Sequence, residues 1–316
     1  MPGKSDVMPC GRRTYCGRAN CRHTAHCRKL EAQQEQAAAK SGADVHGPAQ
    51  GRAPRPRPAP SPKKPLARPA DVVYLYDGSL PGFYCCVYES VYSHELPLAI
   101  WPEDDAPPTL FRQKLIATEQ DKAERVRASV PKKISAAALE LVETVYLSCL
   151  AEKEIAMLRF LLLGYQRGRP VMQMLGHADV APMLAAQKHL GGEAHLLLGF
   201  VRFSDYDGVL GATISPKNFI LPFIASHFVS RYAQEDFLIY DKTHKAALIY
   251  EQGRQRIVPM EGIVFPKASE AEEAYRAMWK QFYNTISIEA RENPRCRMTH
   301  MPKRYWENML EVQDLL

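Results

Sequence analysis

Phe237-Leu238-Ile239-Tyr240, then Asp241-Lys242-Thr243-His244-Lys245, then Ala246-Ala247-Leu248-Ile249-Tyr250 decide how the second half of this chain is read. Two short runs rich in β-branched and aromatic residues flank a polar pentapeptide, the pattern of a hairpin. Upstream, His195-Leu196-Leu197-Leu198-Gly199-Phe200-Val201-Arg202-Phe203 reads as a strand. Asp205-Tyr206-Asp207-Gly208 is a turn, Val209 to Ile214 its partner strand, and Ile220 to Tyr232 a helix. A largely antiparallel sheet with packed helices accounts for this order better than a repeated βαβ pattern does. The expected fold class is therefore α+β or mixed α/β.

Toward the N-terminus, Val72-Val73-Tyr74-Leu75-Tyr76 reads as a strand stopped by Asp77-Gly78-Ser79, and Phe83 to Tyr92 as a helix entered through Ser79 to Gly82. Ser79 is read as a turn or cap residue, with a phosphate-facing hydroxyl as the alternative. A second short strand is expected at Leu115 to Thr118, followed by helices over Glu119 to Arg127, Ala136 to Leu150 and Glu152 to Gln166. Ile155, Leu158, Leu161 and Leu162 form a buried stripe on the last of these. Val171 to Leu175 and Val180 to Leu190 continue the helical scaffold.

Toward the C-terminus, Ser269-Glu270-Ala271-Glu272 is a capping box. The helix after it places Tyr275, Met278, Trp279 and Phe282 on one side, where rings of this kind are expected to be core contacts. Tyr305 and Trp306 are expected to begin a last helix through Leu310.

Charge divides the chain unevenly. Residues 1–70 hold 14 Lys or Arg against 4 Asp or Glu, whereas the remaining residues hold 27 against 31. The formal net charge of +6 thus belongs to the head, and an acidic body must present a local patch to attract phosphate. Within the head, Cys10, Cys16, Cys21 and Cys27 together with His23 and His26 offer thiolate and imidazole ligands for zinc or an iron–sulfur cluster. Their spacing contains no Cys-x-x-Cys pair, so a disordered basic tail is the competing reading. Prolines at 54, 56, 58, 60, 62, 65 and 69 exclude regular structure and mark a linker. The division expected is a cysteine-rich head at 1–30, a linker at 31–70 and a folded domain at 71–316.

Of the other cysteines, Cys85, Cys86 and Cys149 read as small buried residues, and Cys296 lies between Arg295 and Arg297 with no adjacent base. No apolar run of membrane-spanning length and no secretory h-region occurs, so no membrane partner and a cytoplasmic location are expected. Phosphate-loop, HExxH and GxSxG motifs are also missing, which argues against a self-contained hydrolase of those types.

Tyr76-Asp77-Gly78, Gly199-Phe200-Val201-Arg202-Phe203, His227-Phe228 with Arg231, Asp241, Trp279, Arg291-x-Asn293 and Met301-Pro302-x-Arg304-Tyr305-Trp306 form a set of motifs. Together they resemble the DUF4130 family, whose members are described as DNA-metabolism or DNA-repair proteins. The similarity runs over roughly Val73 to Leu315. It implies a DNA-repair or DNA-modification component acting with a radical-SAM partner, and such domains also occur fused to a uracil-DNA-glycosylase-like domain. This chain lacks the Cys-x-x-x-Cys-x-x-Cys of a radical-SAM cluster, so the resemblance implies the nucleic-acid-handling or assembly subunit and not the bond-cleaving one.

Chemically, Arg202, Arg231, Arg291 and Arg304 could hold successive phosphates, Asn293 a base edge, and Tyr305 or Trp306 a stacked base. His227 with Asp241 is the candidate acid–base pair of a base-acting enzyme or nuclease, the first alternative function. The second alternative is a non-catalytic interaction scaffold. In a purely structural reading the same arginines and Asn293 latch the C-terminus to the sheet through carboxylates and carbonyls.

Overall fold

The computed structural model describes residues 66–313, with the chain dividing into units Met1–Ser61 and Pro62–Leu316. The ligand expectations at Cys10, Cys16, Cys21, Cys27, His23 and His26 lie outside the described residues, as does most of the expected linker. Ala67 already belongs to a core, and β1 (Arg68–Pro69) pairs with β3 (Glu95–Leu96), so the described fold reaches into the stretch expected as linker. The class is mixed α and β.

The first layer is a three-stranded parallel sheet in which β2 (Val72–Tyr76) lies between β4 (Ala99–Pro102) and β5 (Arg112–Leu115). Four of the five β2 residues are buried, as suits a central parallel strand covered on both faces. The expected strand at Leu115 to Thr118 is displaced to Arg112–Leu115. Gly78, at φ +75°, turns the chain into α1 (Leu80–Ser93), and the Ser79 hydroxyl caps that helix by accepting from Gly82 N at 3.0 Å. Asp77 fixes the turn by accepting from the backbone and hydroxyl of Ser79 and from Thr118. Ser79 is thus the cap.

Within the same core, α2 (Gln120–Lys133) packs on α1, α3 (Ala136–Tyr146) packs on α2 and on α4 (Lys153–Arg167), and α4 packs against β4. The expected stripe on α4 is buried at Ile155, Leu158, Leu161 and Leu162. A 3₁₀ turn at Arg169–Gln173 leads to α5 (Ala181–Phe200).

The strand expected at His195 to Phe203 is instead the end of α5. Leu190, Glu193, Ala194 and Leu197 are all buried at spacings of three and four, the period of a helix face, whereas the run of three leucines fits strand and helix equally.

The second sheet has the order β10-β9-β8-β7-β6, comprising β6 (Ser204–Tyr206), β7 (Val209–Ile214), β8 (Asp236–Asp241), β9 (Ala246–Glu251) and β10 (Arg254–Pro259). Pairings β6–β7, β8–β9 and β9–β10 are antiparallel, and the expected hairpin is β8–β9. Only β7–β8 is parallel within this sheet, joined through α6 (Leu221–Arg231). Asp207 and Gly208, at φ +53° and +90°, make the tight β6–β7 turn that a Gly at the second place favours. The sheet, α5, α6 and the C-terminal segment enclose a second core containing Phe228, Phe237, Ile239, Tyr305 and Trp306. No helix among the described residues is long and apolar enough to cross a membrane.

Candidate nucleic-acid interface

On α6, Leu221, Ile224, Ala225 and Phe228 are buried at one helical face, which leaves His227 and Arg231 exposed on the opposite side. Facing them is α7 (Glu270–Ile286), begun by Ser269 accepting from Glu272 N at 3.1 Å. Glu272 does not return the bond of a full capping box. Its carboxylate takes Arg276 at 2.8 Å and the backbone N–H of Asp205, tying α7 to the start of β6.

The aromatic stripe of α7 departs from expectation. Tyr275, Met278, Trp279 and Phe282 are 66%, 53%, 39% and 53% exposed, so they present rings to solvent instead of filling a core. Between α6 and α7 lies a cavity of about 700 Å³ lined by Arg202, Phe203, His227, Arg231, Tyr275 and Trp279. Three of the residues singled out from sequence, Arg202, His227 and Arg231, therefore share one groove.

Their charges are deployed differently. Arg202 donates to both carboxylate oxygens of Glu311, at 2.5 and 3.3 Å, and to the Gly199 carbonyl, with its guanidinium 5.6 Å from the Trp279 ring centroid. Burial would push the Glu311 carboxyl up, but Arg202 holds it below its ordinary range. The Arg231 guanidinium lies 5.7 Å from the Tyr232 ring and joins no ion pair among the described residues. It is the groove's available positive charge.

The closing tripeptide sits elsewhere. Tyr305 and Trp306 are 2% and 5% exposed, so neither ring can stack on a base in this structure, a correction to the expected role. Trp306 donates its indole N–H to the Met301 carbonyl at 2.9 Å. Tyr305 donates at 2.6 Å and Arg304 at 3.0 Å to the same oxygen of Glu193, a buried carboxylate on α5. Glu193 also accepts from the backbone N–H groups of Lys217 and Asn218 and from the Asn218 side chain at 2.6 Å. Burial works to raise the Glu193 carboxyl, yet these donors prevail and hold it at about 2. Arg304 thus closes the fold and is not a phosphate contact.

The other expected site residues separate further. Asp241, fully buried, accepts from Thr243 N, His244 N and the His244 ring Nδ1 at 2.7 Å. Its imidazole partner is His244, not His227. Phe228, beside His227, belongs with Phe203 and Tyr232 to a ring cluster on Phe237 near the start of β8, and Asp241 ends that strand. At about 3.3 Å per residue the two ends of β8 are about 17 Å apart.

Arg291 and Asn293 line a shallower recess of about 390 Å³ with Cys296 and Arg297. The Asn293 side chain accepts from Cys296 N at 3.0 Å and caps α8 (Pro294–His300), which occupies the group expected to meet a base edge. Two cysteine expectations change as well. Cys149 is exposed, and Cys296 has the His300 ring at 3.6 Å. Among the described residues no group of three or more His, Cys, Asp or Glu is placed to hold a metal.

Sequence reasoning did not reach Glu193 or Glu311, whose partners lie far along the chain, or Arg276, which pairs with Glu272 one turn back and donates to Ser204 across 72 residues. His244 had a readable signal, since an Asp at a strand end commonly folds its carboxylate onto the next residues of the turn. No curated protein matches the chain. A family model does match, over residues 151–311, which spans α4 through the C-terminal latch and leaves out the Tyr76-Asp77-Gly78 entrance. That match covers just over half of the chain, which belongs to the DUF4130 family, a domain of unknown function.

Proposed function

We propose that the protein is a DNA-binding component of a repair or modification system, acting with a radical-SAM partner, and that the α6–α7 groove receives an unpaired strand. The observation that carries this reading is the pairing of an uncompensated Arg231 with the exposed rings of Tyr275 and Trp279 across one cavity. Cationic grooves with accessible aromatic platforms suit single strands, because phosphates meet the cations while every base offers a stackable face. The radical-SAM partnership rests on the family resemblance alone. An acid–base role for His227 draws no support from the groove, where no carboxylate bonds its ring.

Fluorescence anisotropy with single-stranded, duplex and lesion-bearing DNA tests the proposal. Salt-sensitive binding that favours unpaired strands and weakens on Arg231→Glu is the expected result. Equal affinity of the wild type and Arg231→Glu, or no salt-sensitive binding with the partner present, would overturn it.

A further inference from the structure

A second cavity, about 710 Å³, opens where the two cores meet and shares no lining residue with the groove. Gly78, Tyr146, Lys153, Phe219 and His244 line it, and Ile257 to Pro259 of β10 supply an apolar wall. Its size is that of a pocket for a small organic ligand.

One end of the cavity is built for an anion. Lys153 donates to the Tyr146 carbonyl at 2.7 Å and lies 5.0 Å from that residue's ring centroid, but it forms no ion pair among the described residues. Burial pushes its ammonium below the usual lysine range, against the upward pull of the neighbouring Glu154 carboxylate, which accepts from Tyr76 and forms no ion pair with Lys153. Lys153 is also the first residue of the 15-residue α4, whose N-cap Glu152 makes no side-chain capping bond, so the positive end of the helix dipole adds to the field there.

His244 is fixed as a directional partner. A carboxylate can only accept, so the 2.7 Å contact with buried Asp241 makes Nδ1 the donor; Nε2 then accepts from a ligand in the neutral ring and donates to one in the imidazolium. The ring is held edge-on to Phe219 at 5.4 Å. Lys245 at the rim is paired with Glu261 at 2.7 Å, and the lining acid, Asp105, is exposed. Positive charge without a partner is thus concentrated at Lys153, while Phe219 and β10 face the cavity with apolar surface.

The geometry points to a binding site for a phosphomonoester carried on an aromatic ring system of nucleotide size, with Lys153 and His244 Nε2 on the phosphate and the Phe219–β10 wall on the ring. A phosphomonoester accepts from the Lys153 ammonium and, as the monoanion, donates its P–OH to His244 Nε2, so one group meets partners from separate elements in both roles, which an ionised carboxylate does not. The source of the group is either a free deoxynucleotide or the phosphorylated 5′ end of a DNA strand.

Calorimetric titration of the full chain with each of the four deoxynucleoside 5′-monophosphates, the parent nucleosides, and oligonucleotides with 5′-phosphate or 5′-hydroxyl ends tests the site. At least one phosphate form is expected to bind saturably, and about tenfold or more tighter than its unphosphorylated counterpart. Selective binding of the phosphorylated oligonucleotide assigns the site to DNA ends, and selective binding of a monophosphate assigns it to free nucleotide; either supports the proposal. Nucleosides binding as tightly as their monophosphates, or no saturable binding of any phosphate form, would overturn it. Lys153→Gln, and His244→Asn, which keeps a donor for Asp241, should each weaken binding about tenfold. Hydrogen exchange on the unmodified chain guards against a variant that does not fold: ligand should slow exchange at residues 146–153 and 244–259. Slowing confined to other segments would refute the location, whatever the fate of the DNA-groove reading.

Discussion

The C-terminal latch and the α6–α7 groove are made from the same residue types and put them to opposite uses. In the latch, Arg304 and Tyr305 converge on buried Glu193, and Trp306 spends its indole donor on a backbone carbonyl. In the groove, Arg231 has no carboxylate, and Tyr275 is two-thirds exposed. Arginine beside an aromatic ring is therefore no evidence of nucleic-acid contact by itself. The deciding facts are whether the ring is accessible and whether the guanidinium is already neutralised.

Breaking the latch should have the largest effect. Glu193→Ala removes the acceptor shared by Tyr305, Arg304 and the Lys217–Asn218 backbone, leaving several buried donors and the partly exposed Arg304 cation without their partner. Removing one side of such an arrangement costs roughly 3–5 kcal/mol, readable as a lower urea midpoint at neutral pH. Acid sharpens the same test. Because the folded-state value of Glu193 is depressed from 4.5 to about 2, its contribution is complete above about pH 4.5 and is lost as pH falls toward 2. The Glu193→Ala chain should therefore lose less stability than the wild type across that acid window.

The groove should respond in affinity and not in folding. Trp279→Ala removes a half-exposed ring that Arg202 overlies and that donates to Glu311 at 3.2 Å. A stacking platform would lose about 1–3 kcal/mol of single-strand affinity by anisotropy. The urea midpoint should shift by less than the equivalent of about 1 kcal/mol, since the ring fills no core. A large stability loss with unchanged affinity would make Trp279 a second latch and erase the contrast.

How much of this was readable in advance follows the range of the interactions. The Asp77-Gly78-Ser79 entrance, the Ser269 cap and the β8–β9 hairpin depend on neighbours within a few residues, and their residue types state them directly. The end of α5 was misread because Leu196, Leu197 and Leu198 carry no period of their own. Its helical face is legible only when Leu190, Glu193, Ala194 and Leu197 are taken together. The site residues were recognised by type but not by destination: Arg304 meets Glu193 and Arg202 meets Glu311 across more than a hundred residues, and no local pattern encodes either contact.

The smallest effect bears on Asn293, which stands between the two regions because a side-chain amide can cap a helix or read a base. As a cap, its oxygen accepts from Cys296 N, and Asn293→Ala should cost about 1 kcal/mol in thermal or urea unfolding with DNA affinity unchanged. Asn293→Asp separates the roles more sharply. Aspartate caps as well as asparagine and favours the positive end of α8, so a capping role leaves stability at the wild-type level. A base-edge role would instead lose the amide donor and set a carboxylate against phosphate, so affinity would fall further in Asn293→Asp than in Asn293→Ala. The geometry favours the cap, because the oxygen is already engaged by Cys296 N although Asn293 lines the same recess as Arg291 and Arg297.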